Sequence, residues 1–385
     1  MSAHLPSSGS GLRILHVAED ITAASGGVPA VVRQLSTRAA ADGCAVDVLH
    51  ALGPSDALSP QVHGLSCPPA GLGRYWSWSP GLRRCLQQQM DRRAGLPVVH
   101  VHGIWAAPQY LAAREAGLRN LPVLLSAHGM LEPWLWTEQG WKIRLKKSVY
   151  WHFMAYPAFH QAKVVHALTR LEHQHLQVLF PDTRVEIIPN AVEVADHAEG
   201  DSSAWGRSIL FLGRIEPKKG VDILIRAFFR AQLGGDWTLD IAGPSWSADY
   251  SRALQQLVVS LGLQDRVRML GPVFGEQQRL LMAQAWAMAL PSHSEGLPLV
   301  CLEAGASSLP TITTYQTGLE DWESGGGLLT QPDVDEVAAA LAVASCWSHE
   351  ERRHRGRRSF ELVRERYSWQ AVWPMWRRLY QSLQR

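Results

Sequence analysis

Residues 208–228 have the sequence SILFLGRIEPKKGVDILIRAF, which contains a complete strand, loop and helix. The four residues after Ser208 are apolar, as expected of a strand that is buried on both faces. After the loop, apolar residues recur at the spacing of one helix face: Val221, Leu224, Ile225 and Phe228. Short apolar runs and longer helical patterns alternate in this way along the chain, which predicts βα units wound around parallel sheets.

Two series of strand candidates follow from this alternation. The first comprises residues 13–18, 45–50, 98–102, 122–126, 163–168 and 184–188, and the second comprises 208–212, 237–242, 266–270, 287–291 and 310–314. Between the series, residues 193–207 are polar and acidic without periodicity, which indicates an interdomain linker. We therefore expect an α/β protein with two Rossmann-like parallel-sheet domains that face a central cleft. The predicted bounds are 1–195, 196–366 and, for a closing helix that packs back across the domains, 367–385.

The composition fits two domains and disfavours several classes of protein. A chain of 385 residues has about the length of two ordinary domains. Its 37 Lys and Arg residues balance 35 Asp and Glu residues, so there is no overall positive field that would bind nucleic acid. The five cysteines are scattered without a CxxC pair, which fits neither a disulfide framework nor a thiolate metal site. With no signal-like or membrane-spanning apolar run, the sequence predicts a cytoplasmic protein.

The loop that follows the strand at 208–212 has the features of an anion site. It carries Arg214 and either Lys218 or Lys219 as mobile cations and leads into a helix N-terminus, with a solvated basic surface as the alternative. The unpaired amides and the dipole of a helix N-terminus favour negative charge. Arg offers a bidentate grip on phosphate oxygens, and Lys adds a point charge.

A second unit, ALPSHSEGLPLVCLEA at 289–304, carries two carboxylates. A helix is predicted to begin at Ser294 or Glu295, with Pro298 in its first turn and Glu303 one to two turns inside. Carboxylates accept hydrogen bonds from sugar and ribose hydroxyls, so this pair can hold both ends of a nucleotide sugar while helix amides hold its diphosphate. The alternative is that either glutamate alone is a charge partner of the helix N-terminus.

Five motifs stand in the order of a known family: GRIEPKKG at 213–220, AG at 242–243, VRMLG at 267–271, PSHSEG at 291–296 and LEA at 302–304. They resemble the C-terminal domain of the family 4 glycosyltransferases, with its pattern GRL-x-x-x-KG, AG, V-x-x-x-G, P-S-x-x-E-G and L-E-A. The resemblance implies the GT-B fold. It also implies transfer of a sugar from a nucleotide diphosphate donor, with retention of configuration and without a metal or other cofactor.

The resemblance also assigns roles to single residues. It places the donor diphosphate at Arg214 and Lys219, the ribose at Glu303, the sugar at Glu295, and supporting backbone amides at Gly296 and Leu297. One departure concerns YQTGLEDW at 315–322, where the family usually has a Gly-rich turn and an acidic residue. The identity of the donor therefore stays open.

The first half contains a glycine pair and a histidine that the resemblance assigns to the site. Gly26 and Gly27 precede a predicted helix, so the chain can approach a phosphate closely there, and the resemblance gives this loop to the donor phosphates or the acceptor. The spacing is not G-x-G-x-x-G, which disfavours a nicotinamide-binding domain. The family has a histidine at the end of the strand at 122–126, close to the donor sugar and the acceptor hydroxyl. His128 is therefore the leading catalytic candidate of this half.

His100 and His102 alternate on one strand and point to the same face. Because His-x-His is also a metal-ligand spacing, a metallohydrolase with His128 as a third ligand is an alternative. No acidic residue follows in an HExxH or HxxEH arrangement, and we predict no metal site. His102 is interpreted either as a site residue or as a hydrogen-bonded polar residue at a strand end.

Asp333 and Asp335 form the DxD pattern of metal-dependent GT-A enzymes. They occur in QPDVDEVAAAL, where an aspartate is well suited to cap the helix that follows. We therefore predict an N-cap and a first helical turn rather than a metal site.

Residues 134–151, WLWTEQGWKIRLKKSVYW, combine four tryptophans with four basic residues: Trp134, Trp136, Trp141, Trp151, Lys142, Arg144, Lys146 and Lys147. Helical spacing gives a basic, aromatic-edged face that fits an anionic membrane surface, and a packed helix with a solvated basic side is the alternative. Similar segments after His-Gly-Met-Leu-x-Pro-Trp occur in transferases that build lipopolysaccharide or exopolysaccharide. The expected partners are a nucleotide sugar, a saccharide or lipid-linked acceptor, and the inner face of the cytoplasmic membrane. The functions that compete with sugar transfer are those of a GT-B sugar-nucleotide epimerase and of a catalytically silent binding protein.

Overall fold

The computed structural model describes residues 11–22, 26–92, 95–137, 140–195 and 205–384. The chain forms two compact units. The first unit contains the chain up to Pro189 together with the segment that begins at Trp373, and the second unit is Asn190–Val372. Each unit is a parallel β-sheet with helices, as the alternating sequence pattern predicts.

The sheet of the first unit has seven strands in the order β3-β2-β1-β4-β5-β6-β7, and all neighbouring pairs are parallel. Its strands are β1 (Arg13–Asp20), β2 (Ala45–Leu52), β3 (His63–Ser66), β4 (Val98–His102), β5 (Val123–Ser126), β6 (Val164–Ala167) and β7 (Arg184–Ile187). The strand order reverses between β1 and β4. In an open parallel sheet this switch point is where ligands bind, outside the carboxyl ends of the strands.

Helices α1 to α7 belong to the first unit: α1 (Gly27–Ala41), α2 (Leu82–Met90), α3 (Ala107–Leu118), α4 (Trp134–Thr137), α5 (Trp141–Tyr150), α6 (Tyr156–Phe159) and α7 (Arg170–Leu179). A π-helical turn, Trp151–Ala155, joins α5 to α6. The core contains Leu15 and Val17 of β1, Val99 and Val101 of β4, and Leu125 of β5. Burial of such apolar side chains is the main favourable term in folding the unit.

The sheet of the second unit has six parallel strands in the order β10-β9-β8-β11-β12-β13. Its strands are β8 (Ser208–Leu212), β9 (Thr238–Ala242), β10 (Val267–Gly271), β11 (Ala287–Leu290), β12 (Thr311–Thr314) and β13 (Leu328–Thr330). The order reverses between β8 and β11, so the loops that follow these two strands meet at one edge of the sheet.

Helices α8 to α14 complete the fold: α8 (Val221–Arg230), α9 (Ala248–Ser260), α10 (Gly275–Gln284), α11 (Leu299–Ala306), α12 (Val334–Ser345), α13 (His349–Arg366) and α14 (Trp369–Leu383). The predicted apolar face of α8 is buried. Helix α14 continues through Pro374, and its residues up to Val372 belong to the second unit while the rest belong to the first. None of the described helices is long and apolar enough to cross a membrane.

All eleven predicted strands are confirmed, and each predicted end lies within two residues of the observed end. Two strands were missed. β3 lies within 53–80, a stretch without a clear period, and its side chains are only half-buried or exposed, so they do not alternate in polarity. β13 has three residues, which is too short for a period to show. Residues 196–204 of the predicted linker lie outside the described residues.

Candidate active site

In the second unit, the loop after β8 is tied to the loop after β11. A 3-10 turn, Pro217–Lys219, ends at Gly220, whose φ of 64° lies in the left-handed region that glycine tolerates best. A Cβ at Gly220 would lie 2.2 Å from the carbonyl oxygen of Pro291. The amide of His293 donates to the carbonyl oxygen of Lys218 at 2.8 Å. Glycine is therefore required where the two loops approach each other.

This approach brings Lys219 and Glu295 together, although they are far apart in the sequence. Lys219 Nζ donates to Glu295 Oε1 at 2.5 Å, and the side chains are 17% and 9% exposed. Burial acts to raise the pKa of the Glu295 carboxyl, but the positive charges of Lys219 and Lys218 outweigh it and hold the pKa below its usual value. Glu295 is therefore an ionised carboxylate in a lysine ion pair.

Arg214 follows β8 directly and presents a half-exposed guanidinium group. Its Nη1 lies 4.0 Å from Glu216 Oε2. The preceding residue, Gly213, has a φ of 150°, and a Cβ at Gly243, after the neighbouring β9, would lie 1.8 Å from the carbonyl oxygen of Gly213. The glycine of the AG motif thus lets the ends of β8 and β9 approach closely beneath Arg214.

Helix α11 begins later than predicted. It starts at Leu299 with Pro298 at its N-cap, so the prediction of a start at Ser294 or Glu295 is wrong. The reason is that a residue before proline is disfavoured in the helical region, so Leu297 opposes an earlier helix start. Gly296 and Leu297 therefore lie in the loop, where Asn190 Nδ2 donates to the carbonyl oxygen of Leu297 at 3.0 Å.

Glu303 lies on α11 and differs from Glu295 in its electrostatics. Its Oε2 accepts a hydrogen bond from Gln278 Nε2 at 2.8 Å. Burial raises the pKa of the Glu303 carboxyl, and the hydrogen bond from Gln278 offsets only part of that rise. The structure therefore brings Glu295 to a lysine and Glu303 to a neutral amide, each near the carboxyl end of the second sheet.

In the first unit, Gly26 and Gly27 form the start of α1. Gly26 is the N-cap with a φ of 100°, and a Cβ at Gly27 would meet open space. Both residues are exposed, and the first turn of α1 carries no acidic side chain. Since α1 follows β1, its N-terminus lies at the switch point of the first sheet, where its free amides can bind an anion.

His128 lies just after β5 in a turn with unusual geometry. Its φ of 54° is in the left-handed region, which is uncommon for a residue other than glycine. The buried Glu172 holds this turn, because its Oε1 accepts a hydrogen bond from the Gly129 amide at 2.6 Å and its Oε2 accepts one from the Leu168 amide at 2.7 Å. His128 as a whole residue is half-buried.

The ring of His128 connects to a chain of histidines that crosses three strands. His128 Nε2 and His102 Nδ1 share a hydrogen bond of 3.0 Å, and His102 Nε2 shares one of 2.9 Å with Nδ1 of His16 on β1. Burial lowers the pKa of His16 and of His128 to about 3, and that of His102 well below its ordinary value. All three rings are therefore neutral near pH 7. Both ring nitrogens of His102 are hydrogen-bonded, as expected of a polar residue at a strand end.

A second buried chain runs beside the first. Tyr380 Oη contacts His100 Nδ1 at 2.8 Å, His100 Nε2 contacts Ser126 Oγ at 2.7 Å, and Ser126 Oγ contacts His166 Nδ1 at 2.8 Å. His166 Nε2 lies 2.6 Å from the carbonyl oxygen of Ile188. Sequence reasoning missed these partners, and also His16. The available signal was a histidine within each of the apolar strands β1 and β6.

The histidines also bear on the metallohydrolase alternative. His16, His100 and His102 each place a nitrogen within 4.8 Å of the others. Both nitrogens of His100 and of His102 already take part in hydrogen bonds, and the three rings are buried. No carboxylate stands among the three residues of this cluster to offset the charge of an ion. The arrangement fits a hydrogen-bonded core better than a set of metal ligands.

Asp333 is the N-cap of α12, as predicted. Its Oδ1 accepts hydrogen bonds from the amides of Asp335 and Glu336 at 2.8 and 3.2 Å. Asp335 forms an exposed ion pair with Arg230 at 2.7 Å. The DxD pattern is thus explained by the start of a helix.

The tryptophan- and lysine-rich segment divides into a buried and an exposed part. Trp151 is 5% exposed and contacts Trp136 and Phe180, so its assignment to a surface face is wrong. No side chain of α5 is buried. Large apolar side chains that are exposed here are Trp141, Ile143, Leu145, Val149 and Phe153.

Two parallel-sheet units, each with a switch point in its strand order, are the architecture of the GT-B class of glycosyltransferases. Family models match adjoining parts of the chain: residues 25–196 match Glycosyltransferase Family 4, and residues 197–359 match Glycosyl transferases group 1. The chain therefore belongs to the family 4 glycosyltransferases, which confirms the resemblance inferred from its motifs.

Relatives of known activity cover the chain to different extents. The chain is 28% identical over 288 residues, which are 74% of the chain and 73% of the relative, to a GDP-mannose:cellobiosyl-diphosphopolyprenol alpha-mannosyltransferase of Xanthomonas oryzae. It is 35% identical over 145 residues to a D-inositol 3-phosphate glycosyltransferase of Mycobacteroides abscessus. That match takes in 37% of the chain and 32% of the relative, so the chain aligns with about a third of this relative's length.

Among solved structures, Anabaena HepE in complex with UDP-glucose has the same fold. The TM-score is 0.76 at 18% identity, over 96% of this chain and 100% of HepE. At this identity the likeness establishes the fold alone.

Proposed function

We propose that the chain transfers a sugar from a nucleotide diphosphate donor to a hydroxyl of a lipid-linked saccharide, with retention of configuration, in the synthesis of a cell-surface polysaccharide. The observation that carries the proposal is the Lys219–Glu295 ion pair at the switch point of the second sheet. The pair joins a cation that can meet phosphate to a carboxylate that can accept from sugar hydroxyls. The mannosyltransferase relative, named for a diphosphopolyprenol acceptor, supports the lipid link.

The residues around this pair have complementary roles in the proposal. Arg214 and Lys219, with the first amides of α8 and α11, neutralise the charge that develops on the departing nucleotide diphosphate. Glu303 accepts from the ribose hydroxyls, and the backbone at Gly296 and Leu297 supports the sugar or phosphate. These groups supply the positive charge that a metal ion would otherwise supply, so we propose a reaction that needs no metal or other cofactor.

Retention without a covalent intermediate fits the state of Glu295. A nucleophilic carboxylate needs a free oxygen lone pair aimed at the anomeric carbon. Glu295 shares its Oε1 with the Lys219 ammonium, and this ion pair lowers the nucleophilicity of the carboxylate. In our proposal the departing phosphate takes the acceptor proton on the same face of the sugar, and Glu295 orients the sugar. His128 and the α1 start at Gly26 and Gly27 act in the first unit, at the donor sugar, the phosphates or the acceptor hydroxyl.

Release of the free nucleotide diphosphate tests the proposal. The purified chain is incubated with a panel of nucleotide sugars, with and without a membrane lipid extract, in EDTA. We expect release that depends on both one donor and the extract. Turnover of a donor without acceptor would indicate an epimerase instead, and no turnover with any donor would indicate a binding protein. An inverted anomeric configuration in the product, measured by NMR coupling constants, would contradict retention.

Variants of the carboxylates link the activity to the proposed site. Glu295→Ala should reduce transfer by at least about 100-fold, because it removes both the sugar contact and the partner of Lys219. The matched control is Asp335→Asn, which alters an exposed carboxylate of the same unit. Normal turnover in Glu295→Ala, with the fold confirmed by circular dichroism, would contradict the assignment.

We also propose that α5 and the π-helical turn bind the anionic inner face of the cytoplasmic membrane. Trp141, Leu145, Val149 and Phe153 follow one another at intervals of four residues, so they lie along one side of the helix. They are exposed by 71%, 57%, 50% and 79%. Basic residues on the same helix, Lys142 and others, can meet anionic headgroups. An exposed apolar stripe with basic flanks is the usual form of an interfacial helix.

Vesicle sedimentation tests this surface. We expect binding to phosphatidylglycerol vesicles, weaker binding to phosphatidylcholine vesicles, and weakening as salt increases. The double variant Leu145→Ser/Phe153→Ser should lose most of the binding. Val178→Ser is the matched control, since Val178 is 81% exposed on α7 of the same unit. Equal loss in the control would show that the stripe has no special role.

A further inference from the structure

The chain of His128, His102 and His16 has an internal constraint on its protons. A neutral imidazole carries one proton, so one ring nitrogen donates and the other accepts. His102 uses both nitrogens within the chain, one toward His128 and one toward His16. If His102 donates to His128 it must accept from His16, and if it accepts from His128 it must donate to His16. In either case all three rings carry the proton on the nitrogen of the same name, Nδ1 or Nε2.

The far end of the chain is closed. His16 is fully buried, and its Nε2 has no hydrogen-bond partner among the described residues. A proton shift along the chain would have to deliver or remove a proton at that nitrogen, where no described group is placed to exchange it. The chain therefore does not conduct protons, and it holds each ring in one tautomer.

In the neighbouring chain through His100, the order of donors and acceptors does not depend on His128. A backbone carbonyl only accepts, so His166 Nε2 donates to Ile188 and His166 Nδ1 accepts from the hydroxyl of Ser126. Ser126 Oγ then accepts from His100 Nε2, and His100 Nδ1 accepts from the hydroxyl of Tyr380. None of these four hydrogen bonds involves His128. His100 and His166 thus serve as internal references with the proton on Nε2.

The backbone conformation of His128 is also fixed. The turn has a φ of 54° at His128, and the Glu172 carboxylate accepts from the next amide, that of Gly129. Holding a non-glycine residue in this region costs free energy, which the surrounding contacts must supply. The backbone is thus held by Glu172 and the ring by His102, which leaves Nδ1 as the ring nitrogen outside the chain.

We propose that His102 is a positioning residue that fixes the ring orientation and the tautomer of His128, with His16 closing the chain behind it. This inference rests on the proposed function in one respect, namely that His128 acts in transfer. The inference means that Nδ1 of His128, the ring nitrogen outside the chain, is either always a donor or always an acceptor toward the substrate. At metal sites, removal of a hydrogen-bond partner that orients a ligating histidine changes activity by roughly 10- to 100-fold, and we expect an effect of that order here.

The tautomers can be measured without any substrate. Chemical shifts of ¹⁵N in the imidazole rings distinguish protonated from unprotonated nitrogens, in protein labelled with ¹⁵N-histidine. We expect one tautomer, shared by His16, His102 and His128, and the Nε2–H tautomer in His100 and His166. Different tautomers within the chain of His16, His102 and His128 would overturn the inference.

Three substitutions of His102 separate its two hydrogen bonds. An Asn side chain places its amide near the position of Nδ1, so His102→Asn can keep the bond to His128 and loses the bond to His16. A Gln side chain reaches the position of Nε2, so His102→Gln does the reverse, and His102→Phe loses both. We expect kcat to fall roughly 10- to 100-fold in His102→Gln and His102→Phe, with KM changed by less than about threefold, and to fall much less in His102→Asn. The ¹⁵N signals of His128 should show mixed tautomers in His102→Gln and His102→Phe, but not in His102→Asn.

Ser126→Ala is the matched control. It removes a buried hydroxyl from the neighbouring chain, so it should lower stability while leaving kcat and the tautomer of His128 unchanged. Activity losses that follow stability alone across all four variants would overturn the inference, as would an unchanged His128 in His102→Phe. If the tautomer is fixed but no donor is ever turned over, the proposed function fails and the tautomer assignment stands. If transfer is normal but the ring of His128 populates both tautomers, the proposed function stands and the tautomer assignment fails.

Discussion

At the switch point of the first sheet, neutral imidazoles are joined by hydrogen bonds, whereas at that of the second sheet a lysine and a glutamate form an ion pair. Both sets of residues are largely removed from water, where an unpaired charge is costly. The first unit meets that cost by keeping its titratable groups uncharged, and the second meets it by pairing opposite charges. The two units should therefore respond differently to pH and to the loss of a single partner.

The largest difference is expected on acidification. The pKa of His16 is lowered by burial to about 3 and that of His166 to about 4, from an ordinary value near 6.5. The unfolded chain takes up protons there below about pH 6.5 while the native unit does not, so stability is present above that pH and is lost as the pH falls toward 3 to 4. At pH 5 each fully buried histidine lowers the free energy of unfolding by about 2 kcal/mol relative to neutral pH. In the second unit, the pKa of Glu295 is held below its ordinary value of 4.5. The stability that the ionised carboxylate contributes is therefore lost only below pH 4.5.

Hydrogen exchange at pH 7 and pH 5, corrected for intrinsic rates, measures this contrast. Amides of β1, β4, β5 and β6 should lose protection at pH 5, and amides of β8 and β11 should keep it. Unchanged protection of the first sheet at pH 5 would show that its buried histidines bind protons in the native state.

A smaller effect is expected when the ion pair is broken on one side. Lys219→Met leaves the Glu295 carboxylate without its closest cation in a mostly buried position, which should cost about 3 kcal/mol of unfolding free energy in urea. The double variant Lys219→Met/Glu295→Gln removes both charges and should recover much of that loss. Both variants should be inactive in transfer. If the single and double variants are equally stable, the pair does not carry the electrostatic cost assigned to it.

The corresponding change in the first unit is Tyr380→Phe. It removes the hydroxyl that donates to His100 and leaves a buried nitrogen unpaired, at a cost of about 1 to 3 kcal/mol. Only one neutral hydrogen bond is lost, so the effect should be smaller than that of Lys219→Met. Thermal unfolding followed by circular dichroism measures it, with His100→Phe in the Tyr380→Phe background as the partner variant. Because His100→Phe also removes the donor to Ser126 Oγ, the hydrogen bond is measured as the coupling energy of the double-mutant cycle, and a coupling energy near zero would contradict its assigned cost.

The smallest effect is expected at Asp333, a carboxylate of the second unit that lies outside the ion pair. Asp333→Ala removes the N-cap of α12 and should cost about 1 kcal/mol. Transfer, with or without added Mn²⁺, should not change. A loss of metal-dependent activity in this variant would show that the DxD pattern has a role beyond the helix start.

The sequence allowed most of the fold to be predicted, because strands buried on both faces are continuous apolar runs. It failed at β3 and β13, where burial is partial or the strand is short. In the candidate site, Arg214, Lys219, Glu295 and Glu303 were found from motif order. Their pairing was not, because the Lys219–Glu295 contact depends on the left-handed turn at Gly220 and on neighbouring strands that are distant in sequence. The contact between His100 and Tyr380 joins residues 280 positions apart, and no local pattern encodes it.

Tyr380 belongs to the first unit although it lies beyond the second in the chain. The first unit therefore lacks the donor to His100 until the chain has been synthesised past the whole of the second unit. Its buried histidines are incompletely paired until then, so the first unit cannot complete its core from its own continuous stretch of sequence.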